Sequence, residues 1–214
     1  MGKRMQTKIL KIDRKKTGGP EFRRRINKVV EILKMGGLVV YPTETCYGIG
    51  ADVLNESAVK KVFEIKQRPL NKPLTAIISD IKTATKYCHL SEKEKKIVKR
   101  FMPGPITLVV KKKKNIPDIF DPKEFAFRIP GDAVSMAIAK QFGGPVVATS
   151  ANMSGQEPIY DSKELKEIFD GKVNLILDAG KLPKAKPTTV VDVFKGLRIR
   201  RPGPISEDEL KKIL

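Results

Sequence analysis

The chain has 214 residues, with 43 Lys plus Arg against 24 Asp plus Glu, a formal net charge of +19 at pH 7. A length of this order suits one packed domain without disulfide staples, and 40% hydrophobic content beside 31% charged residues excludes a disordered tail. No segment approaches the roughly 20 apolar residues of a membrane-spanning helix, and Met1-Gly2-Lys3-Arg4 lacks the apolar core of a signal peptide. The cytoplasm is therefore the expected compartment.

The first 25 residues carry ten Lys/Arg and two acids. They read as a first strand through Lys8-Ile9-Leu10-Lys11-Ile12 with solvated flanks, or alternatively as an arm that meets nucleic acid. From Pro20 the spacing of Ile26, Val29, Val30 and Leu33 predicts a helix that stops at Gly36-Gly37, and Leu38 to Tyr41 reads as a buried strand. A helix from about Ser57 to Lys66 leads to a strand at Leu74–Ile78. Ser91 with Glu94 forms a capping box for a helix ending near Met102.

Thr107–Val110 is the next strand, and the period-two pattern of Phe125–Ile129 predicts a strand buried mainly on one face. A helix at about 132–142 precedes a strand at Pro145–Thr149. Asp161 with Glu164 opens a further helix, and Asn174–Leu177 is a strand. Thr188–Phe194 and Leu197–Arg201 flank Lys195-Gly196, which suits a tight hairpin, and Ser206 with Glu209 caps a short last helix. The expected fold is α/β, with one mixed parallel and antiparallel sheet flanked by helices in a single domain over 1–214.

Four unusual segments sit where strands end, the place where open α/β sheets bind ligands. The first, Tyr41 to Gly50, is a polar turn with hydroxyls and glycines after an apolar strand; an ordinary strand-to-loop turn is the alternative. The second, Lys66-Gln67-Arg68-Pro69-Leu70-Asn71-Lys72-Pro73-Leu74, displays three cations on a proline-restricted backbone. Several cations held together suit a triphosphate, and Arg can meet two phosphate oxygens at once; a solvated basic loop is the other reading. No G-x-x-x-x-G-K-[ST] occurs, so P-loop chemistry is unsupported.

The third segment, Ala148 to Gly155, is a run of small hydroxyl and amide groups that could line a phosphate or ribose pocket, or form a plain turn. The fourth joins Pro187–Asp192 to Arg200-Arg201-Pro202-Gly203 across the hairpin. Other chemistries are weaker. Cys46 and Cys88 form no C-x-x-C and lack a histidine-rich partner segment, so no disulfide or zinc site is expected. The one histidine, His89, lies far in sequence from Cys46, which disfavours a Cys-His pair, and no G-x-S-x-G elbow is present.

Taken in order, PTETCYGIGAD at 42–52, KQRPLNKPL at 66–74, MPGPITLVV at 102–110, FRIP at 127–130, TSANMSG at 149–155, TTVVD at 188–192 and RRPG at 200–203 resemble the YrdC family. Its members act as threonylcarbamoyl-AMP synthases, and the resemblance covers about residues 5 to 206. It implies a YrdC-like fold and an enzyme joining L-threonine, bicarbonate and ATP into threonylcarbamoyl-adenylate and pyrophosphate. A partner complex would then transfer the group to tRNA.

The family's K-x-R and S-x-N signature falls on Lys66, Arg68, Ser150 and Asn152, which the resemblance assigns to catalysis and to ATP. It adds Lys72, Pro158 and Arg201 for ATP, and Thr45, Arg128, Ala148 and Thr188 for L-threonine. No protein-held metal is implied; Mg2+ would arrive with ATP. The chain departs from the family in two places. Gly131-Asp132-Ala133 follows FRIP where many relatives have a histidine-proline pair, and Ile77 stands near the position of a histidine in bacterial relatives. Longer relatives add a C-terminal domain with an extra nucleotide contact.

The +19 charge by itself suits nucleic acid, phosphorylated ligands or an anionic surface. Scarce Gln, Cys and His beside abundant Lys is also a bias of proteins from hot environments. Two alternatives therefore stay open beside the synthase: a relative that binds nucleotide or RNA without making the adenylate, and a non-enzymatic RNA-binding module.

Overall fold

The computed structural model describes residues 6–214, so the part of the basic N-terminal segment at 1–5 lies outside the described residues. The chain runs β1 (Lys8–Lys11), α1 (Pro20–Lys34), β2 (Val39–Pro42), β3 (Tyr47–Gly50), α2 (Glu56–Lys66), β4 (Ala76–Ile77), α3 (Ile81–Tyr87) and β5 (Cys88–His89). It continues with α4 (Glu92–Phe101), β6 (Ile106–Lys112), β7 (Glu124–Arg128), α5 (Ala133–Phe142), β8 (Val146–Val147) and β9 (Thr149–Ser150). Last come α6 (Ser162–Phe169), β10 (Leu175–Asp178), β11 (Thr189–Asp192), β12 (Arg198–Arg201) and α7 (Glu207–Lys211).

The strands form two mixed sheets rather than the single sheet expected. One has the order β1-β10-β2-β3-β9; the other runs β12-β11-β6-β7-β4-β8, with β5 paired to β6. In the first, β1, β10 and β2 are parallel and β3 and β9 are antiparallel additions. In the second, β11 is parallel to β6 and β4 to β7, whereas β6 and β7 are antiparallel. The chain passes between the sheets at Ala148, because β8 pairs with β4 while β9 pairs with β3. The expected strand at 145–149 is thus split by the change of sheet.

The larger core lies between the sheets, taking Val40, Tyr47 and Ile49 from one and Leu108, Phe125 and Phe127 from the other. A second cluster packs α1 and α5 against the outer face of β2 and β10 through Ile26, Leu33, Ile138, Val39 and Leu175. In β7, Phe125 to Arg128 are all buried, where alternation predicted one buried face. Phe125 and Phe127 stack in the core with ring centroids 5.7 Å apart, which leaves Ala126 and Arg128 on the opposite face of the strand.

Four local readings change. The polar turn expected across 41–50 contracts to Thr43–Cys46, since Tyr47–Gly50 is a buried strand. A Cβ on Gly50 would lie 2.8 Å from the Tyr41 ring, so glycine there admits the aromatic ring opposite rather than forming a turn. The helix Ile81–Tyr87 arises at a place given no element, started by Asp80, whose side chain accepts from Thr83 N. The connection of the β11–β12 hairpin spans five residues, 193–197, not two. Finally, the strand expected at 74–78 is regular only at Ala76–Ile77.

The capping boxes at Ser91/Glu94 and Ser206/Glu209 form as the sequence indicates. The strand expected over Lys8–Ile12 forms at Lys8–Lys11, and it lies at the edge of its sheet.

Candidate active site

The change of sheet at Ala148 opens a cavity of 390 Å³ between the two sheets. Its floor and walls come from all four unusual segments. Thr45 arrives on the turn between β2 and β3, Arg128 on the C-terminal end of β7, Ala148 and Ser150 at the crossover, Thr188 just before β11 and Arg201 at the end of β12. Arg68 and Pro158 complete the set.

The turn that presents Thr45 is held by its own hydroxyls. Thr43 Oγ1 donates to Cys46 O at 2.8 Å and accepts from Thr45 N at 3.2 Å. Arg14 pins the same turn from outside, donating to Thr43 O at 3.3 Å while pairing with Asp132 at 2.7 Å. Asp132 in turn caps α5 by accepting from Val134 N and Ser135 N, each at 3.0 Å. The Gly131-Asp132-Ala133 departure thus starts a helix and anchors the N-terminal segment. Ile77, at the other departure, is fully buried in the outer cluster.

On the opposite wall, Arg201 donates to Thr188 O at 2.9 Å and to Thr188 Oγ1 at 2.9 Å. Thr188 Oγ1 also shares a 2.8 Å hydrogen bond with Thr107 Oγ1. Arg68 folds back over its own loop, with Nε on Lys72 O and Nη2 on Pro73 O, both at 2.9 Å. Lys72 contributes that carbonyl, and its side chain is exposed and does not line the cavity.

Lys66, to which the resemblance assigns a phosphate contact, does not itself line the cavity. It is the last residue of α2, only 1% exposed, and lies behind the cavity lining. Its ammonium donates to Ser150 O, to Asn152 O at 2.7 Å and to Asn152 Oδ1 at 3.1 Å, and its carbonyl accepts from Ser154 N at 2.8 Å. Three acceptors use all three ammonium protons. Ser150 Oγ donates to Asn152 Oδ1 at 2.5 Å, and Asn152 Nδ2 to Gln156 O. Lys66 and Asn152 therefore shape the turn, while Ser150 faces the cavity.

The electrostatics favour an anion. Burial pushes Arg68, Arg128 and Arg201 below the usual arginine range, and it lowers Lys66 to about 8, with Arg68 adding to the effect. A buried guanidinium still carries its charge, so an incoming anion would relieve part of that burial penalty. Cys46 lines the cavity, but burial raises its thiol pKa, which opposes a thiolate nucleophile. His89 is exposed on β5 and does not line the cavity.

Sequence reasoning missed Thr107, Thr75, Glu157 and Tyr160, all of which line the cavity. Thr75 Oγ1 donates to Ala148 O at 2.6 Å and thereby fixes the crossover. Threonines inside otherwise apolar strands were the available signal for Thr75 and Thr107.

A family model for Sua5/YciO/YrdC, described as "Telomere recombination", matches residues 31–203. The chain belongs to this family. Among members of the Sua5/YciO/YrdC family, a Methanocaldococcus jannaschii relative is 38% identical over 170 residues, covering 78% of this chain and 81% of its own. The threonylcarbamoyl-AMP synthase of Psychromonas ingrahamii is 32% identical over 182 residues, 82% of this chain and 95% of its own.

P. abyssi Sua5 superposes with a TM-score of 0.89 at 31% identity, over 97% of this chain. Its complex with L-threonine gives 0.84 at 29% identity over 98%. This chain spans 60% of that Sua5 chain. The YrdC-like α/β architecture expected from the motifs is thus the observed one.

Proposed function

We propose that the protein is an L-threonylcarbamoyladenylate synthase, a nucleotidyltransferase that forms threonylcarbamoyl-AMP and pyrophosphate from L-threonine, bicarbonate and ATP. The observation that carries this reading is one cavity lined both by Thr45, Arg128, Ala148 and Thr188 and by Arg68, Ser150, Pro158 and Arg201. A related protein, P. abyssi Sua5, has been seen with L-threonine bound, and several relatives carry the synthase name.

In this reading the threonine carboxylate meets Arg128, and the hydroxyls of Thr45 and Thr188 orient the rest of the amino acid. The amine combines with bicarbonate to give a carbamate and water. A carbamate oxygen then forms a bond to the α-phosphorus of ATP, and the bond to pyrophosphate breaks. Arg68 and Arg201 supply fixed positive charge for the phosphates, and Lys66 and Asn152 set the turn that presents Ser150 to the nucleotide. Such a reaction depends on holding anions together in a fixed geometry, so no covalent enzyme intermediate is invoked.

Mg2+ would enter with ATP. Among the described residues no three His, Cys, Asp or Glu side chains converge on one point, and Glu157 is the carboxylate of the cavity lining. Such an ion fits the phosphate oxygens better than the protein, where it would neutralise charge.

The adenylate would be consumed by a tRNA threonylcarbamoyl transferase complex in the cytoplasm; no helix among the described residues is long and apolar enough to cross a membrane. A surface groove in which Lys8, Arg24, Arg25 and Lys28 outnumber the one carboxylate, Glu31, supports weak RNA contact as a secondary property. The test is pyrophosphate release with threonine and bicarbonate omitted in turn. Release should require both, and Lys66→Ala should lower it by about a hundredfold, the effect of an ångström-scale misplacement of reacting groups. No release, together with salt-sensitive tRNA binding, would instead identify an RNA-binding module.

A further inference from the structure

Glu44 has no role in the scheme above, yet it makes the closest contact to Arg128. It sits in the turn between Thr43 and Thr45, and its carboxylate pairs with Arg128 Nη1 across 84 residues of sequence. Arg128 lines the cavity; Glu44 does not, and instead lines a second cleft with Arg14 and Asp132. The pair therefore separates the two spaces, with Glu44 behind Arg128 as seen from the cavity.

Arg128 is only 6% exposed, and among the described residues its guanidinium makes no other hydrogen bond. Its Nε and Nη2 are left without a protein acceptor. A planar guanidinium recognises a carboxylate through two parallel N–H bonds, which requires the fork to be aligned before the ligand arrives. Held at one nitrogen from behind, Arg128 has a fixed plane. Without that hold, the guanidinium would have to be ordered by the substrate itself.

We propose that Glu44 is a positioning residue for the amino-acid substrate: its carboxylate fixes the Arg128 guanidinium so that the remaining donors of the fork receive the α-carboxylate. This rests on the synthase reading. Glu44 touches neither substrate nor reacting atoms in this scheme, so its effect should fall on threonine recognition and pass entirely through Arg128.

The experiment is pyrophosphate release at saturating ATP and bicarbonate with L-threonine varied. Glu44→Ala should raise KM for threonine on the order of tenfold, with kcat within about threefold and KM for ATP unmoved. Glu44→Gln, whose amide oxygen can still accept from Nη1, should recover most of the loss. In an Arg128→Ala background, Glu44→Ala should add nothing, because the two residues act as one unit.

An unchanged or lowered threonine KM in Glu44→Ala overturns the proposal, as does an additive rise in the double variant. If Glu44→Ala fails to melt cooperatively, Glu44→Asp keeps the charge but draws the fork back by one methylene. It should then show the KM rise, and a wild-type KM there overturns the proposal equally. Wild-type protein without threonine-dependent release would sink the synthase reading itself, whereas normal wild-type turnover with an unmoved variant KM sinks this inference alone.

Discussion

Lys66 shows how burial changes the chemistry of a single cation. Its ammonium is buried against the Ser150–Asn152 turn, and burial brings its pKa from 10.5 down to about 8. The sign of the consequence follows from proton counting. Between about pH 8 and pH 10.5 the unfolded chain holds a proton on Lys66 that the folded chain has begun to release, so stability rises with pH in that window. Below it, the cost of burying the charge is fully present. Urea denaturation of wild type and Lys66→Met should therefore give a stability difference that moves in favour of wild type from pH 8 to pH 10.5. A difference independent of pH would mean that Lys66 is not desolvated as described.

At the scale of elements, the close approach of β12 to β11 sets the position of Thr188. Gly203 follows β12, and a Cβ there would lie 2.3 Å from Thr189 N and 2.6 Å from Pro187 O. Both are backbone atoms and cannot swing aside, so Gly203→Ala should push the two strands apart at the residue that bonds Arg201 and Thr107. The expected cost is about 1–3 kcal/mol, the range for overpacking a tight site, with reduced affinity for nucleotide and amino acid. Gly131→Ala is the control. Its nearest atoms would be 3.8 Å away, in ordinary contact, so its stability should stay within about 0.5 kcal/mol of wild type. Equal loss in both variants, measured by chemical denaturation, would contradict this account.

Element boundaries were legible where a local rule governs them. The capping boxes at Ser91 and Ser206 and the apolar face of α1 follow from side chains that meet their partners within one or two turns. The β3 strand and the split of 145–149 were not legible, because Tyr47–Gly50 earns its strand character from Tyr41 and β9, and β8 and β9 pair with different sheets.

At the scale of the whole molecule, the +19 charge has a specific part and a general part. Arg68, Arg128 and Arg201 converge on one cavity and are shifted by burial. Most of the other cations are dispersed over the surface, where like charges oppose compaction and added salt screens them within a Debye length of about 8 Å at physiological ionic strength. Raising sodium chloride from about 20 mM to about 300 mM should accordingly raise the thermal midpoint. A midpoint that falls with salt would imply that ion pairs such as Arg200 with Glu124 and Asp192 outweigh the net repulsion.

The sequence by itself determined the α/β class, most of the helices, the family and the residue types that gather at the site, because periodicity, capping and ordered motifs are local properties of the chain. Tertiary structure alone decided that there are two sheets, that Ala148 is where the chain crosses between them, and that Lys66 turns inward while Arg128 faces the cavity against Glu44. Those outcomes depend on groups far apart in sequence meeting in space, and no local pattern specifies which of a strand's two faces will be buried against which partner.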